Sequence, residues 1–98
     1  MREAEIQKRL MTRLRTKFPG IYVRKIAQGP YSQGGIPDLL GCLNGMFFAI
    51  EVKTGAGQIS KLQELEIKAI TSAKGLALVC YDITDFDYII TRLKEYEQ

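Results

Sequence analysis

Apolar residues at Ile6, Leu10, Met11, Leu14 and Phe18 recur at helical spacing. They predict a helix from about Glu3 to Phe18, stopped by Pro19-Gly20. Ile21 to Ala27 alternates loosely and reads as a strand. Residues 28–35 are dense in turn formers and read as a loop. Two apolar runs then flank Asn44-Gly45, the strongest short-range signal for a two-residue hairpin turn. The strands span about Pro37–Leu43 and Met46–Thr54. After a second glycine-rich loop, Ser60 opens a helix running to about Lys74, with Leu62, Leu65, Ala69, Ile70 and Ala73 inward and Gly75 capping its end. Leu76–Tyr81 is a continuous apolar run, a buried strand. Thr84 is placed to cap a last helix with Phe86, Ile89, Ile90 and Leu93 inward. The order is α-β-β-β-α-β-α.

The hairpin turn fixes a register. Leu43 faces Met46, and counting outward puts Asp38 opposite Glu51, unless a bulge intervenes. Lys53 projects from the same face as Glu51. One face of the hairpin carries Leu39, Leu43, Met46, Phe48, Ile50 and Val52. The other carries Leu40, Cys42, Phe47 and Ala49 with the two carboxylates. A sheet apolar on both faces calls for helices on both. The charged cluster then lies at the end away from the turn, where the layers open.

Opposed like charges destabilise a sheet, so something must favour Asp38 beside Glu51. A divalent cation is the simplest candidate. Magnesium is held by one or two carboxylates while keeping several waters. Asp38 and Glu51 supply such ligands, with the Val52 carbonyl between Glu51 and Lys53. Lys53 could orient or deprotonate a water, or stabilise charge on a phosphate. The plain alternative is an ion pair of Lys53 with Glu51 or Asp38 at a sheet margin, worth little.

Glu3 falls in the centre of the stripe formed by Ile6, Leu10 and Leu14, whereas Glu5 falls among the basic residues. Glu3 therefore reads as a third acidic site residue, or as a first-turn acid favouring the helix dipole. Gln63 completes a capping box with Ser60, which suffices structurally; the helix start also lies close after Lys53. Ser32, Gln33, Gly34 and Gly35 precede Asp38 and offer either close backbone approach to a ligand or a mobile loop. Tyr22, Tyr31 and Tyr81 are candidates for base stacking, but Tyr22 and Tyr81 lie in strand-like runs and read as packing residues.

The chain has 98 residues, enough for one domain and too few for two. No apolar run approaches the roughly 20 residues of a membrane span, and the first residues have no apolar signal core. No membrane association is expected. Cys42 and Cys80 fall in strands predicted to be buried, without CxxC spacing, which suggests a reducing cytosol. The absence of histidine excludes His-metal nucleases, the usual zinc hydrolases and Ser-His or Cys-His nucleophile pairs. An enzyme built from this chain must use carboxylates, lysine and a hard metal. The net charge is +3, but residues 1–25 hold +6 and the remainder −3. A basic segment beside an acidic site suits a metal-dependent enzyme acting on a polyanion. Composition alone favours the simpler reading, a solvated helix face.

Gly35-Ile-Pro-Asp38 followed by Glu51-Val-Lys53 resembles the PD-(D/E)xK nuclease superfamily, and more narrowly its virus-type replication-repair nuclease (VRR-NUC) domains. Glu3-Ala-Glu5-Ile-Gln, the Gly-Ile-Pro-Asp loop, Ala-Ile-Glu-Val-Lys-Thr and Ser60-Lys-Leu-Gln63 occur in that pattern, in that order, over nearly the whole chain. The resemblance implies one domain over 1–98, an α/β fold with a restriction-endonuclease-like αβββαβ core and a central mixed sheet flanked by helices. It implies DNA phosphodiester hydrolysis with Mg²⁺ or Mn²⁺. Asp38 and Glu51 would bind metal, Lys53 would be catalytic, and Glu3 and Gln63 would complete the site. Similarity to Holliday junction resolvases implies branched DNA as substrate and a homodimer. Arg2, Lys8, Arg9, Arg13 and Arg15 on the first helix are the expected DNA-backbone contacts, selecting shape rather than sequence. The rivals are a flap or other structure-specific nuclease, a catalytically silent DNA-binding module, and an interaction domain whose polar cluster is structural.

Overall fold

The computed structural model describes residues 1–27, 34–55 and 57–97. The elements are helix α1 (Glu3–Lys17), strands β1 (Tyr22–Lys25), β2 (Leu39–Leu43) and β3 (Met46–Val52), helix α2 (Lys61–Ser72), strand β4 (Leu76–Cys80), a 3-10 turn (Ile83–Asp85) and helix α3 (Phe86–Lys94). The strands lie in the order β1-β2-β3-β4. The first two pairings are antiparallel, and β3 with β4 is parallel, which makes the sheet mixed.

The hairpin register is the one counted from the turn. Leu43 faces Met46 and Leu39 faces Ile50, with continuous one-to-one pairing between them. Asn44 and Gly45 both take positive φ, 51° and 86°, as a type I′ turn requires. The Asn44 side chain also donates to the Tyr96 carbonyl at 2.7 Å, tying the hairpin tip to the far end of the chain.

Helices α1 and α3 cover one face. Ile6, Leu10, Leu14 and Phe18 of α1, with Phe86, Ile89, Ile90 and Leu93 of α3 and its lead-in, share a core with Val23, Leu39, Phe48, Ile50 and Val52. Helix α2 crosses from β3 to β4 on the other face and buries none of its residues fully. Its half-buried positions include Gln63, Ile67 and Ile70, while Leu62 and Leu65 are exposed. Ala69 and Ala73 are exposed as well, so of the inward stripe expected from Leu62, Leu65, Ala69, Ile70 and Ala73 only Ile70 is half-buried. The second face is covered only in part: Leu40 is half-buried, and Cys42 and Phe47 are exposed. Cys42 is therefore not the buried thiol expected, whereas Cys80 is buried. One helix lying over β4 is too narrow to cover β1 and β2 as well.

Two helix ends differ from expectation. Lys74, not Gly75, takes the left-handed position after α2, with φ of 74°. The N–H of Gly75 donates to Ile70 O and that of Lys74 to Thr71 O, the bonding pattern of a Schellman cap. Gly75 is needed for space, because a Cβ there would lie 2.8 Å from the Ile70 side chain. At the 3-10 turn Asp82, not Thr84, is the cap; its carboxylate accepts from the Ile83 N–H at 2.7 Å. Among the described residues, no helix is long and apolar enough to cross a membrane.

Candidate active site

Asp38 lies immediately before β2. Its carbonyl accepts from the Ile26 N–H at 2.8 Å, holding it against the end of β1. Its Oδ2 accepts from the Val52 N–H at 2.8 Å. That bond continues the ladder with a side chain and fixes the Asp38 carboxylate beside Glu51. Val52 thus meets Asp38 through its N–H, a contact that the expectation for its carbonyl did not include.

Glu51 is only 4% exposed. Its Oε2 accepts from Gln63 Nε2 at 3.0 Å, while its Oε1 is buried and has no hydrogen-bond partner among the described residues. Burial raises its pKa from 4.5 to about 8. Repulsion from Asp38, and a hydrogen bond to Asp38 in the protonated form, push the same way; Lys53 opposes and Glu3 adds a further upward push. A buried acidic group raised by its neighbours is a functional-site signature.

Lys53 is half-buried, and its N–H donates to Cys80 O at 2.9 Å, extending the β3–β4 pairing. Among the described residues it makes no ion pair, so the expected alternative of a marginal salt bridge is not what the structure contains. Its ammonium is close enough to act on Glu51 yet is not neutralised by it.

Gln63 makes the capping box expected for it and also reaches Glu51. Its Oε1 accepts from the Ser60 N–H at 2.8 Å and its N–H donates to Ser60 Oγ at 3.1 Å, closing the capping box. The same amide gives its Nε2 to Glu51. One side chain therefore locks the start of α2 and orients the carboxylate. It also sets the phase of α2: turning Gln63 to the sheet turns Leu62 and Leu65 to solvent.

Glu3 opens α1 and is exposed, yet it acts on Glu51 through space. Glu5 is paired with Arg9 at 3.0 Å. Among the described residues no three His, Cys, Asp or Glu side chains gather as a ready-made metal cluster. The donor set is two adjacent carboxylates with one unsatisfied, buried oxygen. Hard cations such as Mg²⁺ take few protein carboxylates and complete their shell with water, so this set fits.

The expected DNA contacts divide by their partners. Arg9 is tied to Glu5 and Arg13 to Asp87, each at 3.0 Å. Arg15 donates to Val23 O at 2.9 Å. Arg2 and Lys8 are exposed. Ser32, Gln33 and Tyr31 lie outside the described residues. Gly34 and Gly35 pack on the first turn of α2, where a Cβ on either would strike Leu62. Tyr22 and Tyr81 are 54% and 45% exposed, not the packing residues expected, and Arg24 stacks over the Tyr22 ring at 4.3 Å. Gln7 was not anticipated: it is 6% exposed on α1, and its Oε1 has no partner. In the sequence it was only the last residue of the Glu3-Ala-Glu5-Ile-Gln segment, with no role assigned to it.

An Asp before one hairpin strand, Glu-x-Lys on the other and a mixed sheet between helices together define a domain of the PD-(D/E)xK nuclease class. No family model matches the chain, and no curated protein does. Among solved structures it is similar to a protein described as "VRR_NUC domain", at 25% identity and a TM-score of 0.75, covering 91% of this chain and 94% of the other. The fold of this chain, over nearly its whole length, is thus similar to that of a VRR-NUC domain.

Proposed function

We propose that the chain, acting as one domain over 1–98, is a metal-dependent, structure-selective endonuclease that hydrolyses phosphodiester bonds in DNA, with branched DNA such as Holliday junctions as the substrate. The observation that carries this reading is Glu51: buried, held beside Asp38, with one oxygen unsatisfied and an unpaired Lys53 beside it. Asp38 and Glu51 would hold the cation, with the Val52 carbonyl and Glu3 as the further candidate ligands. When bound, Mg²⁺ or Mn²⁺ stabilises negative charge on the phosphoryl oxygens and favours hydroxide over water. Lys53 orients the attacking water or offsets charge on the phosphate. Gln63 keeps the Glu51 carboxylate in place.

A second copy of the chain is the proposed partner. The uncovered ladder Tyr22–Cys42–Phe47 is apolar, and its one neighbouring charge, Arg24, is stacked on Tyr22. Such a patch is compatible with itself across a two-fold axis. It lies on the same sheet face as Asp38 and Glu51, so pairing through it sets two sites toward one substrate. The exposed, unpaired Cys42 suits a reducing compartment such as the cytosol.

The test is cleavage of a labelled four-way junction in Mg²⁺ or Mn²⁺, beside flap, splayed-arm and linear substrates. Lys53→Ala is expected to fold, to bind the junction and to lose cleavage. Equal cleavage by the variant overturns the role of Lys53. Binding by the wild type without cleavage in any metal favours the silent DNA-binding module.

A further inference from the structure

The basic residues of the first segment fall into two groups that the sequence does not distinguish. Lys8, Arg9 and Arg13 line one hollow on the outer side of α1, where the two arginines are ion-paired, with Glu5 and with Asp87, and Lys8 is not. On the side of α1 that faces β1 lies a second groove of about 490 Å³, lined by Ala4, Lys8, Met11, Thr12, Arg15 and Lys25. It contains three cations and no acid. Among the described residues none of the three makes an ion pair. Arg15 is anchored by its bond to Val23 O, which points its charge along β1 rather than leaving it to sample solvent.

The carboxylate pair does not line the groove and lies on the opposite sheet face, but backbone pairing at the end of β1 brings the two close. Lys25 faces Leu39 in the sheet, and the next residue, Ile26, donates to the carbonyl of Asp38. At the other wall Ala4 follows Glu3 in α1. β1 is also the outer strand of the sheet. An edge strand offers unpaired backbone N–H groups, which are good phosphate donors.

We propose that the groove between α1 and β1, through Lys8, Arg15 and Lys25, binds the phosphodiester backbone of a duplex DNA arm and leads it to the Asp38–Glu51 centre. This rests on the nuclease reading and moves the contact surface away from Arg9 and Arg13. Unpaired cations release condensed counterions when they meet phosphates; cations already matched to carboxylates gain less. The competing explanation for Lys25 is that a charge on an edge strand merely prevents strand-to-strand association.

The experiment is fluorescence anisotropy of the full chain with a labelled four-way junction in EDTA, over a series of salt concentrations. Lys8→Ala and Lys25→Ala are each expected to reduce the slope of log K against log salt by about 1, and to weaken binding by up to roughly tenfold near 0.1 M salt. Arg9→Ala and Arg13→Ala are expected to leave the slope close to wild type. Arg15 is left intact because it also holds Val23. Wild-type slopes in both lysine variants, or equal losses in the two arginine variants, overturn the groove. Because no metal is present, a silent catalytic centre does not affect the outcome. Failure of the wild type to bind at all overturns the DNA reading together with the groove.

Discussion

Burying Glu51 beside Asp38 makes the metal-free fold sensitive to pH. The folded pKa, about 8, lies above the ordinary 4.5, so the folded state holds this proton more tightly than the unfolded chain. The resulting contribution to stability is complete below about pH 4.5 and is lost as pH rises through about 8. The melting temperature of the metal-free protein is expected to fall between pH 5 and 9, and calorimetry across that range checks it. Glu51→Gln removes the titrating charge, so it should flatten the fall and abolish cleavage. Millimolar Mg²⁺ should restore stability to the wild type at pH 8 and do little for Glu51→Gln, since a ligand stabilises only the state that binds it. At this scale the placement of the charged residues was largely legible in the sequence. Asp38, Glu51 and Lys53 follow from counting outward from one turn. Gln7 stood in the sequence as part of a motif, but its burial was not legible, because an amide on an apolar stripe carries no charge to mark it.

At the scale of elements, α2 shows how the site and the fold share one side chain. Ser60→Ala removes only the cap, at a cost of about 1 kcal/mol, and should leave cleavage largely intact. Gln63→Ala also strips the donor from Glu51 Oε2, and leaving a buried acceptor unmade costs about 1–3 kcal/mol more. It should therefore lower both the urea midpoint and cleavage, and equal effects of the two substitutions would reduce Gln63 to a cap. At the other end of α2, Lys74 holds a left-handed conformation that disfavours any residue with a Cβ. Lys74→Gly is expected to stabilise the fold by about 1 kcal/mol, seen as a higher urea midpoint at unchanged slope. The sequence located this helix but not its rotation. Hydrophobic periodicity favours Leu62 and Leu65 inward; a polar bond from Gln63 to a strand residue decides otherwise.

At the scale of the whole molecule, the second sheet face is where chain pattern and architecture part. Tyr22, Cys42 and Phe47 form a cross-strand ladder that no described helix covers. A buried apolar contact between copies would be lost by placing a charge at its middle. Phe47→Asp is expected to convert a dimer to a monomer in light scattering after gel filtration, with little change in monomer stability because Phe47 is already 43% exposed. An unchanged mass would place the partner elsewhere.

The sequence by itself determined the elements, the hairpin register and the carboxylate pair. Those depend on local geometry: an Asn-Gly turn sets strand pairing by its own dihedral angles, and alternation carries the register outward. Only the tertiary structure decided the rotation of α2, the exposure of Cys42 and the sorting of the basic residues. Arg13 is paired with Asp87, 74 positions away in the chain, whereas Lys8, Arg15 and Lys25 make no ion pair among the described residues and line one groove. Charge pairing and coverage of a sheet face are properties of three-dimensional proximity, and no spacing along the chain encodes them.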